Sequence, residues 1–377
     1  MTSLKDKCAI VGVGNTKYVR GSGVSTLSLA IECSKKAMDD AGLGPKDIDG
    51  LLTFCLGEPL SMSDLAQSLA IPQVNFQFDI TGGGNNGSGV VITAAAAIET
   101  GLATNVMCIH AINRFSGVRY GAGGFNNFAA PFGKVQAGQA AALYAQRHMH
   151  DYGTTAEQFG AIPLTFRKHA IPNENALMRT PLSMEEYLKS RIVSTPLRLY
   201  DCCLETDGGV AVIVSSAEQA KTMRKKPIYI MAGAANTQGP GLDMGGDTPE
   251  LYTTYGAKYV APRLFGTAGI TPKDIDFAQI YDAFTIYVLC QLEGYGFCNK
   301  GESGSFVEGG KRITYGGELP LNTSGGHLSE GYVRGMNLIA EAVRQLRGEC
   351  GPRQLKDVEI GLTTSAPNPG GALILRR

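Results

Sequence analysis

The sequence predicts a layered α/β chain built from two copies of one domain. Three observations predict it: an internal repeat, the same alternation of strand-like and helix-like segments in each copy, and a composition suited to a large core. Residues 41–49 read AGLGPKDID and residues 268–276 read AGITPKDID, identical at seven of nine positions. Three more pairs keep the same order: VGVGNT (11–16) with AGAANT (232–237), TGGG (81–84) with TSGG (323–326), and VMCIH (106–110) with VEIGL (358–362). The separation grows from 221 to 227, 242 and 252 residues, as insertions in the second copy would make it. A period this long marks a duplicated domain rather than a solenoid.

Each copy opens on an apolar, β-rich run, CAIVGVG (8–14) or IYIMAGA (228–234). A helix follows over 27–42, because Leu27, Ala30, Ile31, Ala37, Met38 and Ala41 recur near helical spacing. Gly42 and Gly269 stop their helices, each with a proline three residues on. PKDID then leads into a second strand, GLLTFCL (50–56) or FAQIYDAF (277–284). A glycine-rich turn opens the next helix, SGVVITAAAAIETG (88–101) or GMNLIAEAVRQLRG (335–348), and a strand closes the copy. Alternation of this kind builds α/β layers. The predicted domains are an N-terminal half over 1–226 and a C-terminal half over 227–377. Residues 111–200 fit neither pattern and read as an insertion on the first half, with helices around 141–153 and 183–193. Long insertions carry binding or packing roles.

Thirty-four basic and 34 acidic residues cancel, so no general charge draws the chain to nucleic acid or anionic lipid. The longest apolar runs, such as VVITAAAAI (90–98), are too short for a bilayer span. The first residues lack a signal-peptide pattern, which predicts a cytoplasmic chain with reduced cysteines. Nine cysteines without CxxC spacing leave packing or a catalytic thiol, and no metal site is expected.

Several motifs compete for the chemistry. Gly12 and Gly14 follow a strand, but Lys17 stands where a dinucleotide fingerprint needs its third glycine. TGGGNNGSG (81–89) lacks the Gly-Lys-Ser/Thr of a phosphate loop, so its glycines fit a sharp turn into a closely packed helix. LNTSGGHLSEGY (321–332) brings His327, Glu330 and Tyr332 into one loop. IYDAF (280–284) puts Tyr281 and Asp282 at a strand end, and TTSAPNPGG (363–371) is a loop able to line a cleft.

Together these motifs resemble the thiolase superfamily over essentially the whole chain, most closely its sterol-carrier-protein-type, lipid-transfer-protein group. The resemblance implies a thiolase fold: duplicated βαβαβ halves in a five-layer α/β sandwich with an inserted loop domain at about 111–200. It also shows departures. The slot for the family's nucleophilic cysteine, in Cys-x-Ser-Gly, holds Asn86 before Gly87-Ser88-Gly89. The Asn-Glu-Ala-Phe strand end reads Tyr281-Asp282-Ala283-Phe284. The loop histidine is replaced by Tyr332, after Gly325-Gly326 and Gly331, and the second cysteine falls near Ala366, before Gly370. A Claisen thiolase needs a thiolate and a second acid/base group, which argues against ordinary thiolysis here.

Two slots have become tyrosine, whose phenol donates or accepts a proton according to its environment. This is similar to the thiolase-like aldolases of steroid side-chain degradation. The resemblance implies a carbon–carbon lyase that splits a β-hydroxyacyl-CoA into a ketone or aldehyde and a short acyl-CoA, such as propionyl-CoA or acetyl-CoA. Tyr281 and Tyr332 are the expected catalytic pair; His327, Asn86, Gly325, Gly326 and Gly370 are expected to contact substrate, with backbone N–H groups and His327 holding the enolate oxygen. No cofactor is expected, coenzyme A being part of the substrate. The expected assembly is a homodimer core joined by a small OB-fold, zinc-ribbon subunit in a heterotetramer. Two alternatives stay open: an atypical thiolase using Cys108 or Cys202, and a non-catalytic acyl-CoA-binding subunit.

Overall fold

The computed structural model describes residues 4–58, 60–117, 130–134, 136–235, 253–254, 256–366 and 370–377. Part of the glycine-rich segment 113–134, the end of AGAANT, and residues 367–369 of the C-terminal loop lie outside them. The first half carries β1 (Cys8–Asn15), α1 (Thr26–Ala41), β2 (Gly50–Cys55), α2 (Met62–Ser68), β3 (Phe76–Thr81), α3 (Gly87–Glu99) and β4 (Asn105–Asn113). The insertion holds α4 (Ala137–Tyr152), α5 (Ala156–Ala170) and α6 (Met184–Lys189), then a small β5 (Ile192–Ser194) and β6 (Leu197–Arg198) ribbon. The chain returns through β7 (Asp207–Ser216) and the short α7 (Ala217–Ala220). The second half is β8 (Ile228–Ala235), α8 (Ala257–Ala268), β9 (Phe277–Gln279), α9 (Thr285–Gly294), α10 (Ser303–Val307), α11 (Gly326–Ser329), α12 (Met336–Arg347), β10 (Ile360–Thr364) and β11 (Gly371–Arg376).

The repeat reappears as strand order. The sheet runs β3-β2-β4-β7-β1-β8-β11-β10-β9. Reading outward from the β1–β8 junction, β1, β7, β4 and β2 have β8, β11, β10 and β9 as counterparts, with the same antiparallel and parallel sequence of pairings. Only Ala9–Tyr229 and Ile10–Ile228 pair across the junction. The counterpart of β3 shrinks to one parallel bridge, Ala278–Leu321. Both PKD segments form a 3-10 turn with proline first, and the aspartate caps its own start: Asp47 accepts from Gly44 N–H and Asp274 from Thr271 N–H. Gly42 and Gly269 both end their helices in the left-handed region, at φ 72°.

Alternation along the strands sorts the core into layers. Val210, Val212 and Val214 of β7 and Leu373 and Leu375 of β11 point to a central layer with α3 and α12. Ala211 and Ile213 face α1 and α2 on one outer side, and Ala372 and Ile374 face α8 and α9 on the other. Helix, sheet, helix pair, sheet, helix is the layered sandwich expected from the sequence. Gly12 and Gly14 have a packing reason. A Cβ on Gly14 would lie 2.1 Å from the carbonyl oxygen of Cys33, and one on Gly12 would lie 2.4 Å from that of Ala37. Strand β1 therefore lies directly on the backbone of α1, where no larger residue fits.

Replacing Gly14 by Val forces the strand and helix apart. We expect a loss of about 1–3 kcal/mol, the usual cost of overpacking, measured by urea unfolding. An unchanged unfolding midpoint would show that this contact is not close-packed.

Candidate active site

Three loops meet at the carboxyl ends of the strands. The first runs from β3 through Gly82-Gly83-Gly84 into α3. The second runs from Leu321 through α11 to α12. The third follows β10, where Ala366 N–H donates to the carbonyl of Gly84 at 2.9 Å. Tyr281 and Tyr332 come together here, their hydroxyls 2.8 Å apart, and both side chains are buried. Their rings meet edge-on, with centroids 6.3 Å apart.

Each tyrosine is held by its backbone. Tyr281 N–H donates to Thr364 Oγ1 at 2.8 Å, and Gln291 Nε2 donates to the Tyr281 carbonyl at 2.9 Å. Tyr332 N–H donates to Thr206 Oγ1 at 2.9 Å. Gly84 makes room for the pair, since a Cβ there would fall 2.0 Å from the Tyr281 hydroxyl oxygen.

Behind the pair lies a buried polar chain. The carboxylate of Asp282 accepts the backbone N–H of His327 at 2.9 Å and that of Leu328 at 3.2 Å. Gly325 (φ 105°) and Gly326 (φ 58°) permit this approach, and a Cβ on Gly326 would collide with Asp282 Oδ2 at 2.3 Å. Asn337 Nδ2 donates to Glu330 Oε2 at 3.0 Å and to the Gly331 carbonyl at 3.1 Å. Its Oδ1 therefore faces His327 Nε2, at 3.2 Å, which makes Nε2 the protonated ring nitrogen. Nδ1 then turns a lone pair toward Asp282 Oδ1, 3.2 Å away. Burial pushes Asp282 up to about 7 and His327 down to about 3, so the imidazole is neutral and its Nδ1 makes no hydrogen bond. The imidazole stands edge-on to both phenol rings, at 4.6 Å from Tyr281 and 5.1 Å from Tyr332.

This geometry corrects two expectations. His327 is wholly enclosed, its N–H is taken by Asp282 and its Nε2 by Asn337, so it has no donor free for an enolate. Leu328 N–H also goes to Asp282, and those of Ser329, Glu330 and Gly331 go to the carbonyls of Gly325 and Gly326. Asn86 is turned from the phenols: its Nδ2 donates to the Thr81 carbonyl at 3.2 Å, and it bonds neither tyrosine among the described residues. Gly370 packs against the backbone of Gly256 and Ala257. Gly325 and Gly326 shape the loop around Asp282.

The thiols are set apart. Cys108 is fully buried on β4, 3.5 Å from the Val90 carbonyl, and burial raises its pKa. Burial also pushes Cys202 and Cys203 up to about 12. None of the three has the depressed pKa of an activated nucleophile. Cys203 does pack against the tyrosine cluster. With Cys202 it also lines a cavity of about 480 Å³ whose walls include Arg20, Arg167, Arg191 and Leu328. The arginines are a feature that sequence reasoning missed, being scattered over three segments. Among the described residues no group of three His, Cys, Asp or Glu is placed to hold a metal, and no helix is long and apolar enough to cross a membrane.

Two half-sheets around a central helix pair, with loops converging on a buried pair of phenols, define a thiolase-type fold. A family model described as thiolase C-terminal domain-like matches residues 246–373. The chain is 40% identical to a 17-hydroxy-3-oxo-4-pregnene-20-carboxyl-CoA lyase from Mycobacterium tuberculosis, covering 99% of this chain and 100% of that one. It is 39% identical to a steroid side-chain-cleaving aldolase from Thermomonospora curvata, with 98% of each covered. The solved structure described as the Ltp2-ChsH2(DUF35) aldolase superposes with a TM-score of 0.92 at 39% identity, covering 100% of this chain and 99% of that one. Human mitochondrial 3-ketoacyl-CoA thiolase, 14% identical with a TM-score of 0.74, shares the fold. The chain belongs to the thiolase superfamily, among its aldolase and lyase relatives.

Burial raises Glu330 to about 7 from an ordinary 4.5. The folded state thus holds that proton more tightly than the unfolded chain. Its contribution to stability is complete below about pH 4.5 and is lost as pH rises through about 7. Melting temperature should fall between pH 5 and 8, and the fall should be shallower in Glu330→Gln. An unchanged slope would contradict the assignment.

Proposed function

We propose that this chain cleaves the Cα–Cβ bond of a β-hydroxyacyl-CoA by a retro-aldol reaction. The observation that carries the reading is the 2.8 Å contact between the Tyr281 and Tyr332 hydroxyls. The pair falls in the motif slots that the resemblance gives to an asparagine and a histidine, while the thiol slots hold Asn86 and Ala366, and two phenols supply proton transfer without a covalent intermediate. The relatives named as a steroid side-chain-cleaving aldolase and a pregnene-carboxyl-CoA lyase support a steroid side-chain thioester as substrate. The apolar walls and three arginines of the neighbouring cavity suit a ligand with an apolar body and phosphate groups.

The environment separates the two phenols. Burial raises the pKa of both. In Tyr332 that rise is reinforced by Cys203 but opposed by Arg334, by the bond from Tyr281 and by Arg114, whereas Tyr281 is pushed further up by Tyr332 and Cys203 and opposed only by Arg334. Tyr332 is thus the base and Tyr281 the donor beside it. Tyr332 takes the β-hydroxyl proton, and the O–H electron pair becomes the new carbonyl π bond. The Cα–Cβ pair moves to Cα as a thioester enolate, and a proton delivered through the tyrosine pair completes the short acyl-CoA. This scheme uses no cofactor beyond the coenzyme A of the substrate.

Tyr281→Phe and Tyr332→Phe should each lower turnover by roughly 10²–10⁴, the scale of general acid–base groups. The assay is mass detection of the released acyl-CoA from candidate β-hydroxyacyl-CoA esters. Wild-type rates in both variants would overturn the assignment. Because Tyr332 acts after losing a proton, kcat/KM should also climb with pH across neutrality.

For the assembly we propose a homodimer carrying a small OB-fold, zinc-ribbon subunit. Strand β3 ends the sheet and leaves Phe78 56% exposed, an open edge that supports self-association. The structural relative's description as an Ltp2-ChsH2(DUF35) aldolase supports the second subunit. Native mass spectrometry after co-expression with the adjacent small reading frame should give two of each chain. A monomer of this chain alone, with the small protein unbound, would contradict it.

A further inference from the structure

Arg114 follows the last residue of β4 and is fixed by what comes after it. The turn is gathered by Asp207, a fully buried carboxylate on β7. Asp207 accepts Phe115 N–H at 2.8 Å, Ser116 N–H at 3.1 Å and Ser22 N–H at 2.8 Å, together with the Ser116 hydroxyl. The guanidinium carbon of Arg114 is thereby held 5.7 Å from the centre of the Tyr332 ring.

Arginines buried or half-buried elsewhere in the fold meet partners. Arg334 pairs with Glu58, Arg347 with Asp40 and Arg353 with Glu341, while Arg167 donates to Ser329 and the Thr180 carbonyl. Arg114 Nε is buried with no hydrogen-bond partner among the described residues. A buried guanidinium N–H left without an acceptor is costly unless something able to accept joins it. The retro-aldol reading generates two anions here in turn, the Tyr332 phenolate and then the enolate. Of the groups first expected to hold the enolate, His327 and the Leu328 N–H are already committed to Asp282 and Asn337.

We propose that Arg114 is a catalytic residue that binds the thioester oxygen as it becomes the enolate oxygen. The proposal rests on the retro-aldol reading. As the Cα–Cβ bond breaks, its electron pair spreads from Cα to the thioester oxygen, and the guanidinium N–H groups donate to the growing charge. The pair returns to Cα when that carbon is protonated. Because Asp207 fixes the turn beforehand, Arg114 need not reorganise during the reaction, which is the condition under which such donors contribute most.

The test uses Arg114→Gln and Arg114→Lys in the co-expressed complex, each checked for an unchanged melting temperature. One arm measures cleavage. The other measures exchange of the α-hydrogens of propionyl-CoA in D₂O, which needs the enolate but no Cα–Cβ cleavage. Arg114→Gln should lose about 10²–10³ in both arms, with Arg114→Lys recovering part of each. The cleavage loss should persist at every pH. A loss restored in full at high pH would show that Arg114 acts only by easing ionisation of Tyr332, and would overturn the proposal. So would wild-type exchange in Arg114→Gln. If wild-type enzyme cleaves no β-hydroxyacyl-CoA, the retro-aldol reading itself fails, and the exchange arm alone decides for or against Arg114.

Discussion

The carboxyl of Asp282 accepts two successive backbone N–H groups, those of His327 and Leu328, and this clamp sets the distance between the two phenols. Tyr281 is the residue before Asp282 on the strand end, and Tyr332 follows the clamped turn by four residues. Closing the turn on the strand end draws the hydroxyls to 2.8 Å. The neighbouring sequence serves the same contact. Glycines at 325 and 326 let the carboxyl in, Gly84 leaves space for a phenol, and Thr364 with Gln291 fixes the strand end.

The electrostatics follow from burial. Asp282 and Glu330 sit in low dielectric without a cation in direct contact, so each keeps its proton to about pH 7. The ground beneath the tyrosines is therefore less negative near neutrality than two ordinary carboxylates would make it, which eases like-charge repulsion on a phenolate. The positive groups lie on the other side, Arg114 over the Tyr332 ring and three arginines around the adjoining cavity. Charge formed during the reaction would thus find neutral groups behind it and cations ahead.

Much of the fold was legible because duplication doubles every signal. The two PKDID segments, the two left-handed glycines and the paired strands each corroborate a partner elsewhere in the chain. Helices α5 and α8 left a weaker trace because each contains a proline, Pro163 and Pro262, which sequence reading takes for a break. The tyrosines were legible because they occupy motif slots in loops that the repeat aligns. Arg114 and the roles of Asp282 and His327 were not, since they depend on which polar group meets which across the loops. A histidine read from spacing looks like a ligand, and only its enclosure by Asp282 and Asn337 shows it to be part of the support.

The central claim is that the reacting proton belongs to a phenol, and to Tyr332 in particular. Site-specific replacement of Tyr332 by 3-fluorotyrosine raises the acidity of that one phenol, lowering its pKa, with little change in its shape. The rising limb of the kcat/KM–pH profile should move to lower pH, and the same replacement at Tyr281 should move it less. A profile unmoved by fluorination at Tyr332 would contradict the account.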